Sequence, residues 1–271
     1  MPLTTLKKDQ GRRRDTQETP SIQSLDRGLL ILEAVGKSPE PVSLSQLAAM
    51  LGIDRSSAFR LANTLKRRGY LANPSAGRDY LLGPSVWRLS RRYDWSKMLA
   101  RVANEPLKAL AVESNETAHL AVREGKRALF IDHVTSSHVI SISGQTGELV
   151  PLYCTSHGKA LLSDFEEQDL VNLFGAKPLK AYTKNTIQSI RSLAAECRSI
   201  RERGFATDES EYLEGVRCLA APIRDRDGAV IASIGISAPA ARFPRERERE
   251  LAQRVVAVAA QIGEMVGNLV A

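Results

Sequence analysis

Apolar residues recur every three or four positions along three successive stretches near the start of this chain. Ser24 to about Gly36 carries Leu29, Leu32 and Val35 on one side, which predicts a helix that buries those three. Leu44, Leu47, Ala48 and Leu51 form a second stripe. Ser43 ahead of it and Gln46 three residues on make a capping box that satisfies two backbone donors, and Gly52 supplies a left-handed stop. Asp54 caps a third stretch with Ala58, Leu61, Ala62 and Leu65 on its apolar side, ended by Gly69. At about 100° per residue, Ser56, Arg60, Asn63 and Arg67 fall on the opposite side, with Phe59 and Thr64 on the flanks. The period then drops to two: Tyr70–Asn73 and Asp79–Leu82 alternate around the turn residues Pro74-Ser75-Ala76-Gly77. Helices at a tight turn followed by a hairpin are the winged form of the helix-turn-helix.

A helix with Ser, Arg and Asn on its free face can hydrogen-bond both phosphates and base edges. The candidate DNA-contacting residues are therefore Ser43, Arg55, Ser56, Ser57, Phe59, Arg60, Asn63, Thr64 and Arg67, with Arg78 and Asn73 near the hairpin tip. Gly83-Pro84 marks a boundary, and Ser85 to Val102 reads as a connecting helix. Its Trp87, Leu89, Tyr93 and Trp95 are costly to leave in water, so they are expected to pack against a neighbouring element or a second subunit.

The remainder alternates between the two periods. Glu105–Ser114 is helical; Thr117–Arg123 and Ala128–His133 are strands around Glu124-Gly125-Lys126; Val139–Ser143 is a further short strand. Helical patterns follow at His157–Phe165, Glu166–Phe174 and Thr186–Arg203. Leu219–Arg224 and Ala229–Ser237 form another hairpin, and Pro244 opens a last helix with Leu251, Val255, Val258, Ile262 and Val266 on its apolar side. A sheet with an outer layer of helices is implied.

Charge sharpens this division. Residues 1–95 carry 16 Lys+Arg against 9 Asp+Glu, which leaves 22 of each for the rest of the 271 residues. An excess confined to the helix-turn-helix segment is the footprint expected for a polyanion. Residues 1–20 are polar and basic and read as a disordered arm, either a solvated tail or a minor-groove arm. No apolar run reaches the roughly 18–20 residues that a membrane span needs, and the start of the chain lacks a signal-peptide pattern. Cys154, Cys197 and Cys218 are odd in number and widely spaced, which argues against a disulfide framework or a zinc module and for a reducing cytoplasm. His119, His133 and His138 show no metal-ligand spacing, and no phosphate-cradling or dinucleotide loop is present, so neither metal nor cofactor is expected.

Four segments resemble the IclR (isocitrate lyase regulator) family of bacterial transcriptional regulators. They are Ser24-Leu25-Asp26-Arg27-Gly28-Leu29, Asp54-Arg55-Ser56-Ser57-Ala58-Phe59-Arg60-Leu61, Thr155-Ser156-His157-Gly158-Lys159-Ala160-Leu161-Leu162, and Gly204-Phe205-Ala206-Thr207-Asp208-Glu209 followed by Gly215-Val216-Arg217-Cys218-Leu219-Ala220-Ala221-Pro222. The resemblance implies an α+β chain: a winged helix-turn-helix domain over 21–83, a linker helix over 84–102, and a GAF-like α/β effector-binding domain over 103–271. It implies a dimer, and often a tetramer, on a palindromic operator that controls a catabolic operon, with a small organic or aromatic acid as effector. Carried over by position, the effector site is Val139, Ile142, Val150, Ser156, His157, Asp208, Cys218, Gly235 and Ser237.

His157 and Gly235 depart from the family's commonest residues. The glycine is expected to make room beside Ser237 and the histidine to donate to an acid, which points to a bulkier or aromatic ligand. Ser156 and His157 at a helix start would favour an anion. Plainer readings stand beside these: Asp208 as a backbone cap, Cys154 and Cys218 as packing, Lys159 as solvated, and Arg242–Glu250 as a solvated helix start. The rival from another class is a cysteine-dependent enzyme or redox sensor that pairs Cys154 or Cys218 with His157, although no nucleophile motif surrounds either thiol. A nonspecific architectural DNA binder would leave the neutral α/β half unexplained.

Overall fold

The computed structural model describes residues 22–74, 77–90, 94–142 and 144–269. The basic arm, the Ser75-Ala76 wing tip, Tyr93 and Ser143 lie outside the described residues. The chain divides into two compact units between residues 93 and 94.

The first unit contains α1 (Gln23–Lys37), α2 (Leu44–Leu51), α3 (Arg55–Arg67), the hairpin β1 (Leu71–Ala72) and β2 (Leu81–Leu82), and α4 (Pro84–Ser90). Local chemistry sets the helix ends. Ser43 Oγ accepts the Gln46 N–H while Gln46 Oε1 accepts the Ser43 N–H at 2.8 Å, and Gly52 closes α2 at φ +62°. Asp54 Oδ1 accepts the Ser57 N–H at 2.9 Å to start α3. The core is built from Ile31, Val35, Leu47, Ala62, Leu71 and Tyr80. Leu29 is not part of it and is half exposed. α1 has apolar residues at 25, 29, 30, 31, 32 and 35, and the core takes the stripe through Ile31 and Val35.

In the second unit, β3 (Thr117–Glu124), β4 (Arg127–Val134), β5 (Leu149–Pro151), β6 (Ala206–Glu209), β7 (Val216–Arg224) and β8 (Val230–Pro239) form one sheet in the order β5-β4-β3-β8-β7-β6. Every neighbouring pair is antiparallel. α5 (Trp95–Ser114) and α9 (Arg245–Asn268) cover one face around Leu107, Leu120, Ile234 and Val255. α6 (Ser156–Leu161), α7 (Glu167–Phe174) and α8 (Ile190–Arg203) belong to the other, around Ala121, Phe130, Leu152 and Leu193.

Three expectations need correction. The linker is not one helix over 84–102: Asp94 is non-helical and caps α5, which runs through Val102 and Pro106 to Ser114. The continuous buried stripe Leu99, Ala103, Leu107 and Leu110 outweighs the hydrogen bond that Pro106 cannot make. Trp95 packs against the core of the second unit, whereas Trp87 and Leu89 are exposed in the single chain. Residues 139–142 form no strand. The Arg242–Glu250 run is not simply solvated either: Arg242 grips both carboxylate oxygens of buried Glu116 at 2.8 and 2.7 Å, and Glu248 binds Arg217 at 2.9 Å.

All six residues of α6 are buried. The helix lies so close to the chain before it that a Cβ on Gly158 would stand 2.2 Å from the Leu152 carbonyl oxygen. Gly158→Ala should therefore cost about 1–3 kcal/mol by overpacking. Differential scanning calorimetry should show the second unit melting roughly 2–10 °C lower.

Candidate nucleic-acid interface and effector pocket

On α3, Arg55, Ser56, Phe59, Arg60, Asn63, Thr64 and Arg67 are exposed, as expected for a surface that meets another molecule. Ser57 is half-buried, and its hydroxyl lies 3.4 Å from Arg60 Nη2. Three side chains are already engaged. Ser43 caps α2, Thr64 Oγ1 donates to the Arg60 carbonyl at 2.8 Å, and Asn73 Nδ2 donates to the Arg78 and Asp79 carbonyls. Asn73 therefore stiffens the wing, while Arg78 is exposed beside it.

The second unit holds a half-open cavity of about 80 Å³ between the sheet and α6. Of the nine positions carried over, seven line it: Ile142, Val150, Ser156, His157, Asp208, Cys218 and Ser237. Val139 does not, because its side chain is fully exposed on the loop after β4. Gly235 does not either. A Cβ there would stand 2.2 Å from the Leu219 carbonyl oxygen and 2.7 Å from the Ala220 Cα, so this glycine admits β7 rather than making room for a ligand. Gly235 therefore gives no support to the expectation of a bulkier or aromatic ligand.

Sequence reasoning missed His119, Phe130, Gly144, Glu148, Thr155, Tyr212, Leu213 and Val216, which complete the wall. Strand alternation could have found His119, which shares a face of β3 with Thr117 and Ala121. The others come from turns and partner strands that no local period reports.

Burial holds the pocket's two imidazoles and its thiol uncharged. Burial, then the neighbouring His133, pushes His119 down to about 3. Burial also pushes His157 well below the usual imidazole range. Asp208 Oδ1 accepts the Glu211 N–H at 2.7 Å, so the cap reading is correct for one of its oxygens, and burial raises the carboxyl to about 7. Lys159 is not solvated; it is buried and ion-paired to Glu211, with Glu196 at 3.7 Å. The thiols are kept protonated: burial pushes Cys154 and Cys197 up to about 12 and Cys218 up as well. His157 Nδ1 lies 3.0 Å from Ser233 Oγ, and its Nε2 bonds neither cysteine. Among the described residues no His, Cys, Asp and Glu side chains group as metal ligands. No described helix is long and apolar enough to cross a membrane.

A winged helix presenting an exposed basic helix, joined in one chain to an α/β unit with a mostly apolar pocket that carries a few buried polar groups, has the layout of a DNA-binding transcriptional regulator. Residues 24–74 match the IclR helix-turn-helix domain, and residues 94–264 match the bacterial transcriptional regulator IclR C-terminal domain. The chain is 30% identical over 253 residues to the transcriptional repressor IclR of Escherichia coli, covering 93% of this chain and 92% of that protein. It is 29% identical over 251 residues to the regulator KdgR of Escherichia coli, covering 93% and 95%. Among solved structures, the Thermotoga maritima IclR superposes with a TM-score of 0.59 at 28% identity, over 91% of this chain and 100% of that one. The Agobacterium tumefaciens repressor BlcR gives 0.58 at 27% identity, over 91% and 98%. The chain belongs to the IclR family of bacterial transcriptional regulators.

Asp208 supplies a pH test. Its carboxyl is raised in the folded state from an ordinary value of 3.8 to about 7, so its proton stabilises the fold at low pH, and that contribution is lost as pH rises through about 7. The depressed histidines act oppositely below about 6.5, so a variant comparison is needed to isolate the aspartate. Asp208→Asn keeps the acceptor for Glu211 and removes the charge. Its stability relative to the unchanged protein should improve by roughly 2–3 kcal/mol between pH 5 and pH 8 in urea titrations.

Proposed function

We propose that this chain is a sequence-specific regulator that binds a palindromic operator as a dimer or tetramer and responds to a compact carboxylic acid in the second unit. The observation that carries the effector reading is a set of buried polar atoms in the pocket wall with no partner: His119 Nδ1, Ser156 Oγ and His157 Nε2. Leaving a buried donor or acceptor unmade costs about 1–3 kcal/mol each, so these atoms favour an occupant that supplies complementary groups. Asp208 can accept from a ligand hydroxyl, or donate when protonated, and Ile142, Val150 and Val216 offer an apolar wall. A small oxo- or hydroxy-acid matches both the size and the polarity. Control of a catabolic operon in the cytoplasm fits such a ligand.

The enzyme and redox-sensor readings find less support. The thiols are raised far above neutrality, and burial holds the histidine that would serve as their base well below the usual imidazole range, with no hydrogen bond from it to either sulfur.

At the operator, Arg60, Asn63 and Ser56 would face bases or phosphates, and Arg67 and Arg78 would hold phosphates. Arg60→Ala should weaken binding to a DNA fragment from upstream of the chain's own gene by about 1–3 kcal/mol in gel-shift titration. Unchanged affinity would remove α3 from the interface. A thermal-shift screen of three- to five-carbon oxo- and hydroxy-acids tests the effector half. A bound acid should raise the melting temperature of the unchanged protein and do so far less for Asp208→Asn.

A further inference from the structure

We infer that His119 couples the occupant of the pocket to the turn over residues 144–148, donating to an acceptor oxygen of the bound acid through Nδ1 while Nε2 holds the turn at the Gly144 N–H. This deepens the effector reading above and rests on it.

His119 sits on β3, in register with His133 on β4 and Gly235 on β8. Its ring is 1% exposed and packs against Phe130 at a centroid distance of 4.7 Å. Gly144 N–H donates to Nε2 at 3.2 Å. A neutral imidazole that accepts on one nitrogen carries its proton on the other, so Nδ1 is an N–H donor. That donor is buried without a partner in a ring that lines the cavity.

The turn is built onto the sheet beside the same ring. Gly147 N–H donates to the Phe130 carbonyl at 2.7 Å, Phe130 N–H donates to the Glu148 carbonyl at 3.0 Å, and Thr146 Oγ1 lies 3.1 Å from His133 Nδ1. A Cβ on Gly144 would stand 2.8 Å from His119 Nε2 and 3.0 Å from the Phe130 ring, so only a bare backbone approaches the imidazole this closely. Gly144 and Glu148 themselves line the cavity. The ring thus shares the cavity wall with the turn and holds it by one hydrogen bond. Hydrogen bonds through a shared group reinforce one another, so an acceptor on Nδ1–H makes Nε2 the stronger acceptor for Gly144.

Two substitutions separate the two nitrogens. In His119→Gln the amide oxygen can occupy the place of Nε2, which keeps the turn and loses the ligand donor. In His119→Asn the amide can occupy the place of Nδ1, which keeps the donor and loses the turn. Hydrogen exchange of the Gly144 amide is followed in the full chain with and without lactate or pyruvate, alongside affinities from calorimetry. Either acid should slow the Gly144 amide about tenfold in the unchanged protein. His119→Gln should retain protection in the free protein, bind about tenfold more weakly and show no further slowing at saturation. His119→Asn should exchange Gly144 about tenfold faster before any ligand is added. Ligand-induced slowing that persists at saturation in His119→Gln overturns the coupling, as does unchanged Gly144 exchange in His119→Asn. If neither acid binds the unchanged protein while His119→Asn still frees Gly144, the acid reading fails and the coupling fails with it, whereas the histidine's hold on the turn stands.

Discussion

A lysine ammonium inside the second unit sets much of the geometry around it. α6 is buried along its whole length, and Lys159 is its only charged side chain. Taking an ammonium out of water is tolerable only with a carboxylate against it, and Glu211 supplies one, with Glu196 at 3.7 Å and Arg203 behind Glu196 at 2.7 Å. Glu211 is fixed in turn by its own backbone. Its N–H goes to Asp208 Oδ1, and its carbonyl accepts the hydroxyls of Thr183 and Thr186 at 3.2 and 2.6 Å. The loop after β6 is thus tied to the buried charge, and Asp208 is tied to that loop. The position of the pocket's carboxyl follows from an ion pair behind it.

Because that cation is spent on Glu211, the cavity presents no free positive side chain, and its imidazoles are neutral. A ligand there would meet neutral donors away from bulk water, where each hydrogen bond counts for more than it does in water. The first unit solves the opposite problem. Its charges are at the surface, where screening makes any single contact weak and where many cations facing one polyanion add up. The confinement of the positive excess to residues 1–95 and the neutrality of the remainder express these two modes in one chain.

What the sequence made legible divides along the same physical line. Capping at Ser43 and Asp54, the stripes on α2 and α3, and the strands β3, β4, β7 and β8 are recorded within a few neighbouring residues, and they were read correctly. Misreadings occurred where a distant partner decides. α1 offers two apolar stripes, and only packing selects Ile31 over Leu29. α5 passes through Pro106 because the sheet holds its buried face. β5 and β6 are short edge strands of three and four residues, too brief for a period to register. Seven of the nine transferred positions line one cavity, whereas His119, weighed in the sequence only as a metal ligand, lines it too. A single histidine in a strand looks like any other inward residue until Gly144 arrives from the turn 25 residues away.

The close approaches of backbone explain why donor placement governs this pocket more than volume does. Gly235 is pressed against β7 and Gly158 against the Leu152 carbonyl, so neither position accepts a side chain without displacing backbone. Ser233 fixes the His157 ring, and Phe130 contacts it edge-on at 5.3 Å. What can still vary is the set of groups at the cavity surface: the two imidazoles, Ser156, Asp208 and Ser237. A close-packed interior passes strain on rather than absorbing it, so a ligand that fails to satisfy those groups gains little from fitting the space. What the pocket offers a ligand is a hydrogen-bond pattern, and the ring that carries part of that pattern also holds the adjoining turn.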